Sequence, residues 1–207
     1  MATELDKPAY ADREWSGKLF LIVGPSGSGK GTVIHELKKK FGGFIYPISY
    51  TTREIRDGEK PDDVYHFISK EKFEDMIKND EFLEYAIVHS NNYYGTPKKD
   101  ILDPVKNGSV VVREVDIQGF HSIQKLIPKE NLVSIFMTVS NIEDLRGRIK
   151  RRAEISDEEL ERRLQSAQKE MAQGNDCDYR VENEWGKIKK CVNLVERIIL
   201  AELKDWY

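Results

Sequence analysis

The stretch FLIVGPSGSGKGTVIHEL, residues 20–37, decides the fold of this chain. Its first four residues continue an apolar run from Leu19, as in a parallel strand that is buried on both faces. Apolar residues then recur at helical spacing from Val33 to Leu37, so we predict a helix that begins near Lys30. The segment between the strand and the helix is almost entirely glycine and serine.

That segment predicts a phosphate site. Glycine lets backbone N–H groups approach a ligand closely, and a helix N-terminus adds unpaired N–H donors and partial positive charge. The spacing Gly24-x-x-x-x-Gly29-Lys30 fits the P-loop pattern, in which the lysine reaches the terminal phosphates. The pattern then asks for Ser or Thr, but this chain has Gly31 before Thr32, so the common magnesium hydroxyl is missing there.

Composition narrows the class of protein. The chain has 207 residues, 39% of them hydrophobic and 33% charged, which suits one α/β domain with insertions. The net charge of −3 argues against bulk attraction to nucleic acid, and no apolar run is long enough for a membrane span. Residues 1–17 are expected to be a polar tail and not a targeting peptide. Cys177 and Cys191 lack a metal-site pattern, and ordinary thiols fit a cytoplasmic protein.

Alternating apolar strands and amphipathic helices predict a three-layer α/β/α fold of the P-loop NTPase type, with a central parallel sheet. Two stretches depart from this rhythm: residues 49–96 are polar and aromatic, and residues 141–173 are helical and rich in arginine. We expect an acceptor-binding lobe and a lid there, inserted into a core of residues 18–48, 97–140 and 174–206. Strands are predicted at 43–50, 82–88, 109–115, 132–139 and 179–183, and helices at 70–78, 141–152, 156–173 and from 186 onward.

The first insertion contains residues suited to a nucleoside monophosphate. Arg53 and Arg56 can grip a phosphate through paired hydrogen bonds, although a solvated charged turn explains them equally well alone. A carboxylate such as Glu84 can accept two hydrogen bonds from the N1–H and amine of guanine, a donor pair that adenine lacks. A hydroxyl of Ser49 or Thr96 could bond guanine O6 or N7.

Eight motifs occur along the chain in the order that is found in guanylate kinases, and together they cover nearly all of it. The sequence therefore resembles that family over residues 18–203. The motifs are GPSGSGKGT, SYTTREIRDGE, VYHF, EFLEYA, NNYYGT, VDIQG, RIKRR and RRLQSAQKE.

The resemblance implies transfer of the γ-phosphoryl of ATP to GMP or dGMP, with Mg²⁺, in purine nucleotide metabolism. It also implies three groups of site residues. ATP would be bound by Gly24, Pro25, Ser26, Gly27, Ser28, Gly29, Lys30, Gly31, Thr32 and Asn183, the last near the adenine. GMP would be bound by Ser49, Arg53, Arg56, Tyr65, Glu84, Tyr94, Thr96 and Asp116. The catalytic cations would be Lys30, Arg56, Arg148, Arg152 and Arg163, and Glu114 and Asp116 would orient the metal, through water.

Two other interpretations stay open at this stage. A guanylate-kinase-like interaction module keeps the fold without catalysis, but it would be expected to lose Lys30 or the lid arginines. A kinase of the same fold that acts on a sugar phosphate would not need Glu84 beside Ser49. The sequence leaves open whether the protein is a monomer or a homo-oligomer.

Overall fold

The computed structural model of the protein describes residues 15–55, 59–62, 65–88, 92–152 and 155–204. The chain divides into two compact units, one of residues 1–18 and 45–111 and the other of residues 19–44 and 112–207. We call them the acceptor unit and the donor unit, after the sites that are predicted in them. Among the described residues, no helix is long and apolar enough to cross a membrane.

The described strands and helices alternate along most of the chain. The strands are β1 (Lys18–Val23), β2 (Ser49–Thr51), β3 (Tyr65–Phe67), β4 (Phe82–Val88), β5 (Asn92–Pro97), β6 (Val110–Val115), β7 (Leu132–Thr138) and β8 (Tyr179–Glu182). The helices are α1 (Lys30–Lys40), α2 (Lys70–Lys78), α3 (Lys99–Lys106), α4 (Ile117–Ile123), α5 (Ile142–Arg152), α6 (Asp157–Gln173) and α7 (Ile188–Lys204).

The donor unit is built on a four-stranded sheet in the order β6-β1-β7-β8. β1 pairs with β7, and β7 with β8, in parallel. Every residue of β1 and β7 is buried, as the unbroken apolar runs predict for strands covered on both faces. The predicted α/β fold with a parallel core sheet is confirmed.

Helices α5 and α6 share a small apolar core with the end of β7. Ser156 caps α6, because its hydroxyl accepts a hydrogen bond from the Glu159 N–H at 3.2 Å. Ser156 and Glu159 have the Ser-x-x-Glu spacing that is typical of a capped helix start, at the beginning of the helix predicted over 156–173. The shared core consists of Val139, Leu145, Ile149, Leu160, Leu164 and Ala167.

The acceptor unit has its own four-stranded sheet, in the order β3-β2-β5-β4. β2 and β3 are parallel, while the other two pairs are antiparallel. Helix α2 covers one face, where Phe73, Met76 and Phe82 form a buried cluster. Gly95 allows this close packing, because a Cβ atom there would lie 2.8 Å from the Phe82 ring and 2.9 Å from the Phe73 ring.

Most of the predicted elements lie where the sequence placed them. The bounds predicted for α2 and β4 are confirmed without change. The strand predicted at 43–50 is wrong over most of its length, since Ile45 forms only an isolated bridge with Val111 and the strand begins at Ser49. Helices α3 and α4 were not predicted.

Candidate functional site

The glycine-rich loop joins β1 to α1 in the donor unit. Gly29 is the residue before the helix and has φ of 101°, in the left-handed region that favours glycine. A Cβ atom on Gly29 would lie 2.4 Å from Nδ2 of Asn183, so the site excludes a side chain as well as favouring this backbone. The loop therefore brings its backbone close to the cavity, as the phosphate-site prediction requires.

Lys30, the first residue of α1, turns back over the loop. Its Nζ donates hydrogen bonds to the carbonyl oxygens of Gly24 at 2.6 Å and Pro25 at 3.0 Å. Carbonyl oxygens are neutral acceptors, so these two bonds hold the ammonium group without cancelling its charge. Lys30 also lines the cavity beside the loop, where a phosphate would meet it.

Asn183 supports the loop from below. It is 3% exposed, and its Nδ2 donates a hydrogen bond to the Ser28 carbonyl oxygen at 2.8 Å. Its Oδ1 is buried and has no partner among the described residues. Asn183 lines the same cavity, and its observed hydrogen bond holds the backbone of the loop.

A cavity of about 890 Å³ opens beside the loop. Its size falls in the range of a small-molecule or cofactor site. The lining includes the loop, one acid near the end of β6 and one directly after it, and residues of α5, α6 and the β8–α7 turn. These residues are Gly24, Ser26, Gly27, Gly29, Lys30, Gly31, Thr32, His35, Glu114, Asp116, Arg148, Arg151, Glu170, Asn183, Glu184, Trp185, Gly186 and Ile188.

The structure distinguishes the three predicted lid arginines. Arg148 reaches the cavity and donates to the Asn183 carbonyl oxygen at 2.7 Å, with longer contacts to the loop carbonyls. Burial lowers the pKa of its guanidinium, while the carboxylate of Asp144 opposes that shift. Arg163 instead pairs with Glu159 at 2.8 Å and does not line the cavity. Arg152 ends α5, but its side chain lies outside the described part of the structure.

The two acids predicted near a metal, Glu114 and Asp116, both line the cavity. Asp116 also caps α4, because its Oδ1 accepts a hydrogen bond from the Gly119 N–H at 2.7 Å. Glu114 faces Gly31, where a Cβ atom would lie 3.6 Å from its Oε2. Within the described ranges, no three His, Cys, Asp or Glu side chains cluster to hold a metal by themselves.

Seven residues that line this cavity were missed by the sequence reasoning: His35, Arg151, Glu170, Glu184, Trp185, Gly186 and Ile188. Glu170 accepts from the Ser166 hydroxyl at 3.2 Å, while its Oε2 is buried without a partner among the described residues. Burial raises the pKa of Glu170, against the opposing charge of Lys30. Glu170 follows Arg163 by seven residues, so helical spacing was the available signal.

In the acceptor unit, four predicted GMP residues form a single row across the sheet, which we call the acceptor row. Glu84 pairs with Thr96, and Ser49 pairs with Tyr65. The β2–β5 register, with Tyr50 opposite Gly95, puts Ser49 opposite Thr96. Paired residues project from the same face of a sheet, here the face opposite α2. Thr96 donates its hydroxyl proton to Glu84 Oε1 at 2.7 Å.

Arg53 and Tyr94 gather around Tyr65, at one end of the acceptor row. The rings of the two tyrosines meet edge to face at 5.5 Å, and the Arg53 guanidinium lies 5.6 Å from the Tyr65 ring centre. Nη2 of Arg53 also donates to both carboxylate oxygens of Glu59, at 2.9 Å each, while its Nη1 donates to the Glu54 carbonyl oxygen at 2.6 Å. Burial alone would lower the pKa of Arg53, but hydrogen bonds to Glu59 and Tyr94 raise it. Arg56 lies outside the described residues.

Comparison with known proteins agrees with the sequence motifs. The family model described as Guanylate kinase matches residues 16–202. The chain is 39% identical to a guanylate kinase of Carboxydothermus hydrogenoformans over 90% of this chain and 89% of that protein. It is 41% identical to one of Clostridium tetani over 90% and 86% of the two chains. The crystal structure of guanylate kinase from Anaplasma phagocytophilum matches with a TM-score of 0.69 and 29% identity, covering 92% of this chain and 88% of that one.

Proposed function

The chain belongs to the guanylate kinase family, and from that premise we propose how its residues divide the work of an ATP:GMP phosphotransferase. It is an enzyme that transfers a phosphoryl group from ATP to GMP. Such a transfer requires little covalent help from the protein, because alignment and neutralisation of charge lower its barrier. Each unit supplies one part of that requirement.

The observation that carries the acceptor assignment is the acceptor row. Glu84, Thr96 and Ser49 place one carboxylate and two hydroxyls side by side on one sheet face. The hydrogen bond from Thr96 occupies Oε1 and orients the carboxylate. Glu84 then accepts from the N1–H and amine of guanine, while the hydroxyls meet its O6 or N7. Adenine has an acceptor at N1 and only a hydrogen at C2, so this arrangement favours GMP over AMP.

The phosphate of GMP is proposed to bind beside the row. Arg53 supplies a planar fork and Tyr65 and Tyr94 supply hydroxyls, all within one group of touching side chains. The same group holds Glu59, whose carboxylate accepts from Nη2 of Arg53. A phosphate must therefore share Arg53 with Glu59 or displace it. Arg56 is proposed as the second cation at this position.

The donor site is proposed to be the 890 Å³ cavity. The loop from Gly24 to Thr32 offers its N–H groups to the phosphates of ATP, and Lys30 supplies a positive charge beside them. Arg148 adds a second cation that is already inside the cavity. Preorganised charge of this kind stabilises the transition state without reorganisation during the step. Arg152 and Arg163 are proposed to join it as lid residues.

The residues around the loop fit a magnesium ion that arrives with ATP. Magnesium in such sites is held by one or two carboxylates, substrate phosphates and water, and Glu114 and Asp116 offer the carboxylates. When bound, the ion supplies positive charge to the phosphate oxygens. Gly31 offers no hydroxyl, but the Glu114 carboxylate lies 3.6 Å from the place where a Cβ atom of residue 31 would be. We therefore assign Glu114 to the ion.

We propose the same domain division that the sequence suggested, with a GMP-binding lobe at 49–96 and a lid at 141–173. Arg148 and Arg151 of the lid stretch already line the donor cavity. We also propose a role in purine nucleotide metabolism in the cytoplasm, to which the free thiols of Cys177 and Cys191 are suited. The substrates are ATP and GMP or dGMP.

A coupled assay of ADP release tests the proposal. Purified protein is given ATP and Mg²⁺ with GMP, dGMP, AMP, CMP or UMP. We expect rapid turnover with GMP and dGMP, at least tenfold slower turnover with the others, and loss of activity when EDTA removes the metal. Turnover with AMP at the GMP rate would overturn the acceptor assignment. Binding of GMP without turnover would instead indicate a non-catalytic interaction module.

A further inference from the structure

Trp185 lies in the turn between β8 and α7 and lines the donor cavity. Although it borders a ligand site, it is a large aromatic residue that remains 44% exposed. Tryptophan is a highly buried residue on average, and the proposed function assigns no role to this partly exposed ring. Its neighbours indicate what that role is.

Two guanidinium groups lie against the Trp185 ring. The Cζ atom of Arg151 is 4.8 Å from the ring centre, and that of Arg148 is 5.6 Å from it. Both distances fall within the range of cation–π attraction, for which tryptophan is the best partner. The two arginines are three residues apart on α5, so they project from the same side of the helix.

Gly147 provides a second, independent observation. A Cβ atom there would lie 3.1 Å from Cη2 of Trp185 and 3.4 Å from its Cζ3. The indole therefore rests against the backbone of α5 at the one position beside Arg148 that has no side chain. Gly147 is inside the helix without a left-handed backbone, so backbone geometry does not explain the glycine.

The chain just before Trp185 holds the same arginine by a different bond. Arg148 donates to the Asn183 carbonyl oxygen at 2.7 Å, while the ring of Trp185 lies beside its guanidinium. Residues 183–185 thus fix Arg148 by a hydrogen bond and by an aromatic surface. Arg151 lines the cavity and has the ring as its described cation–π partner.

We propose that Trp185 is a positioning residue that holds Arg148 and Arg151 at the donor cavity, ready for the phosphates of ATP. This inference rests on the proposed function, since it assigns the two cations to phosphoryl transfer. A mobile arginine side chain loses conformational entropy when it is ordered. Contact with the indole orders both arginines before ATP binds, so less entropy is lost during the reaction. Its contribution should therefore appear in kcat, because cations placed in advance act on the developing charge.

Two substitutions of the ring test the proposal by steady-state kinetics. Trp185→Leu should lower kcat by about 3- to 30-fold, the range that a cation–π contact supports, and leave the KM for GMP within about twofold. Trp185→Phe keeps an aromatic face and should restore most of the loss. An unchanged kcat in Trp185→Leu, or no difference between Leu and Phe, would overturn the proposal.

Gly147→Ala separates positioning from folding. Alanine is the better helix former, so the melting temperature should stay the same or rise. The added methyl group should push the indole away and lower kcat, without adding its full effect to that of Trp185→Leu in the double variant. Full activity in Gly147→Ala, or fully additive losses, would contradict the contact.

NMR spectroscopy can test the contact between the Trp185 ring and the two arginines without a measurement of activity. The Nε–Hε resonances of Arg148 and Arg151 in the ligand-free protein should carry a ring-current shift that disappears in Trp185→Leu. If these resonances are the same in Trp185→Leu as in the wild type, the proposal is wrong even if the enzyme is an active GMP kinase. Shifts that disappear, in a protein without GMP kinase activity, would keep the contact and reject the proposed function instead.

Discussion

Replacement of Glu84 by glutamine tests the centre of the acceptor site. The substitution keeps the size of the side chain and its place on β4, and Thr96 can still donate to the amide oxygen. What changes is the second oxygen, which becomes an NH₂ group. In the proposed complex that group would meet the guanine donors, from which it cannot accept a hydrogen bond.

The structure sets the size of the expected loss. Thr96 donates to Oε1 at 2.7 Å and so fixes the orientation of the carboxylate that guanine is proposed to meet. A hydrogen bond to a charged group contributes about 1.5–3 kcal/mol. Since about 1.4 kcal/mol corresponds to a factor of ten, kcat/KM for GMP should fall by about 10- to 150-fold.

A second substrate shows which guanine atom is read. Inosine monophosphate lacks the exocyclic amine of guanine but is otherwise the same base. The wild type should prefer GMP over inosine monophosphate, and Glu84→Gln should reduce that preference, because the group that reads the amine has gone. The KM for ATP should remain within about twofold, since the donor cavity belongs to a separate set of residues.

Glu81→Gln is the matched control. It removes the same charge three residues earlier, from a carboxylate whose described hydrogen bond is a long one of 3.4 Å from Asn79. Its kcat/KM for GMP should stay within about twofold of the wild type. The reasoning is refuted if Glu84→Gln keeps wild-type kcat/KM for GMP, or if both variants lose it equally.

Three further predictions concern the donor unit. Lys30→Ala should lower kcat by at least about 100-fold while the circular dichroism spectrum is retained, because the charge over the loop is lost; a smaller loss would contradict its role. Gly31→Ser should lower the Mg²⁺ concentration needed for half-maximal rate, since its Cβ has ordinary contact distance to Glu114 and its hydroxyl adds an oxygen; an unchanged requirement would contradict the magnesium assignment. Glu170→Gln should raise the melting temperature at pH 8 and not below about pH 4. Burial raises the pKa of Glu170 above its ordinary 4.5, so the stability it contributes is present at low pH and is lost as the pH rises through the raised pKa. A gain that grows on acidification would refute this.

Local patterns were sufficient to predict the donor loop. The apolar run of β1, the glycines and Lys30 are contiguous, so their structural consequence can be read without knowledge of any distant residue. The capped start of α6 was predictable for the same reason, because Ser156 and Glu159 are three residues apart. Such features depend on spacing along the chain alone.

The acceptor row shows where sequence reasoning needed help. The chemistry of Glu84, Ser49 and Thr96 suggested a guanine site, but the row exists only because two strand registers coincide. A slip of one residue in either pairing would send these side chains to opposite faces. The bulge between Phe82 and Glu84 illustrates that β4 does not keep an ideal register, which the sequence does not reveal.

The missed residues share another cause. Arg151, Glu170 and Trp185 are residue types that are common on surfaces of helices and turns. Only the tertiary fold directs them to the cavity, through the rotation of α5 and α6 and the path of the β8–α7 turn. Arginine-rich composition identified the stretch, and the family resemblance named Arg148, which lines the cavity, but not Arg151. Gly147 would have been a clue, since glycine inside a helix usually has a packing reason.

Arg148, Arg53 and Arg163 differ in the groups that a phosphate would have to displace from them. Arg148 donates its hydrogen bonds to carbonyl oxygens, so an arriving phosphate does not have to displace a carboxylate from them. Arg53 and Arg163 pair instead with the carboxylates of Glu59 and Glu159. These two must exchange one anion for another, and the gain is only the difference between the two pairings. We therefore propose that Arg148 meets the donor phosphates at the outset, while Arg53 and Arg163 contribute after their carboxylate partners have been displaced.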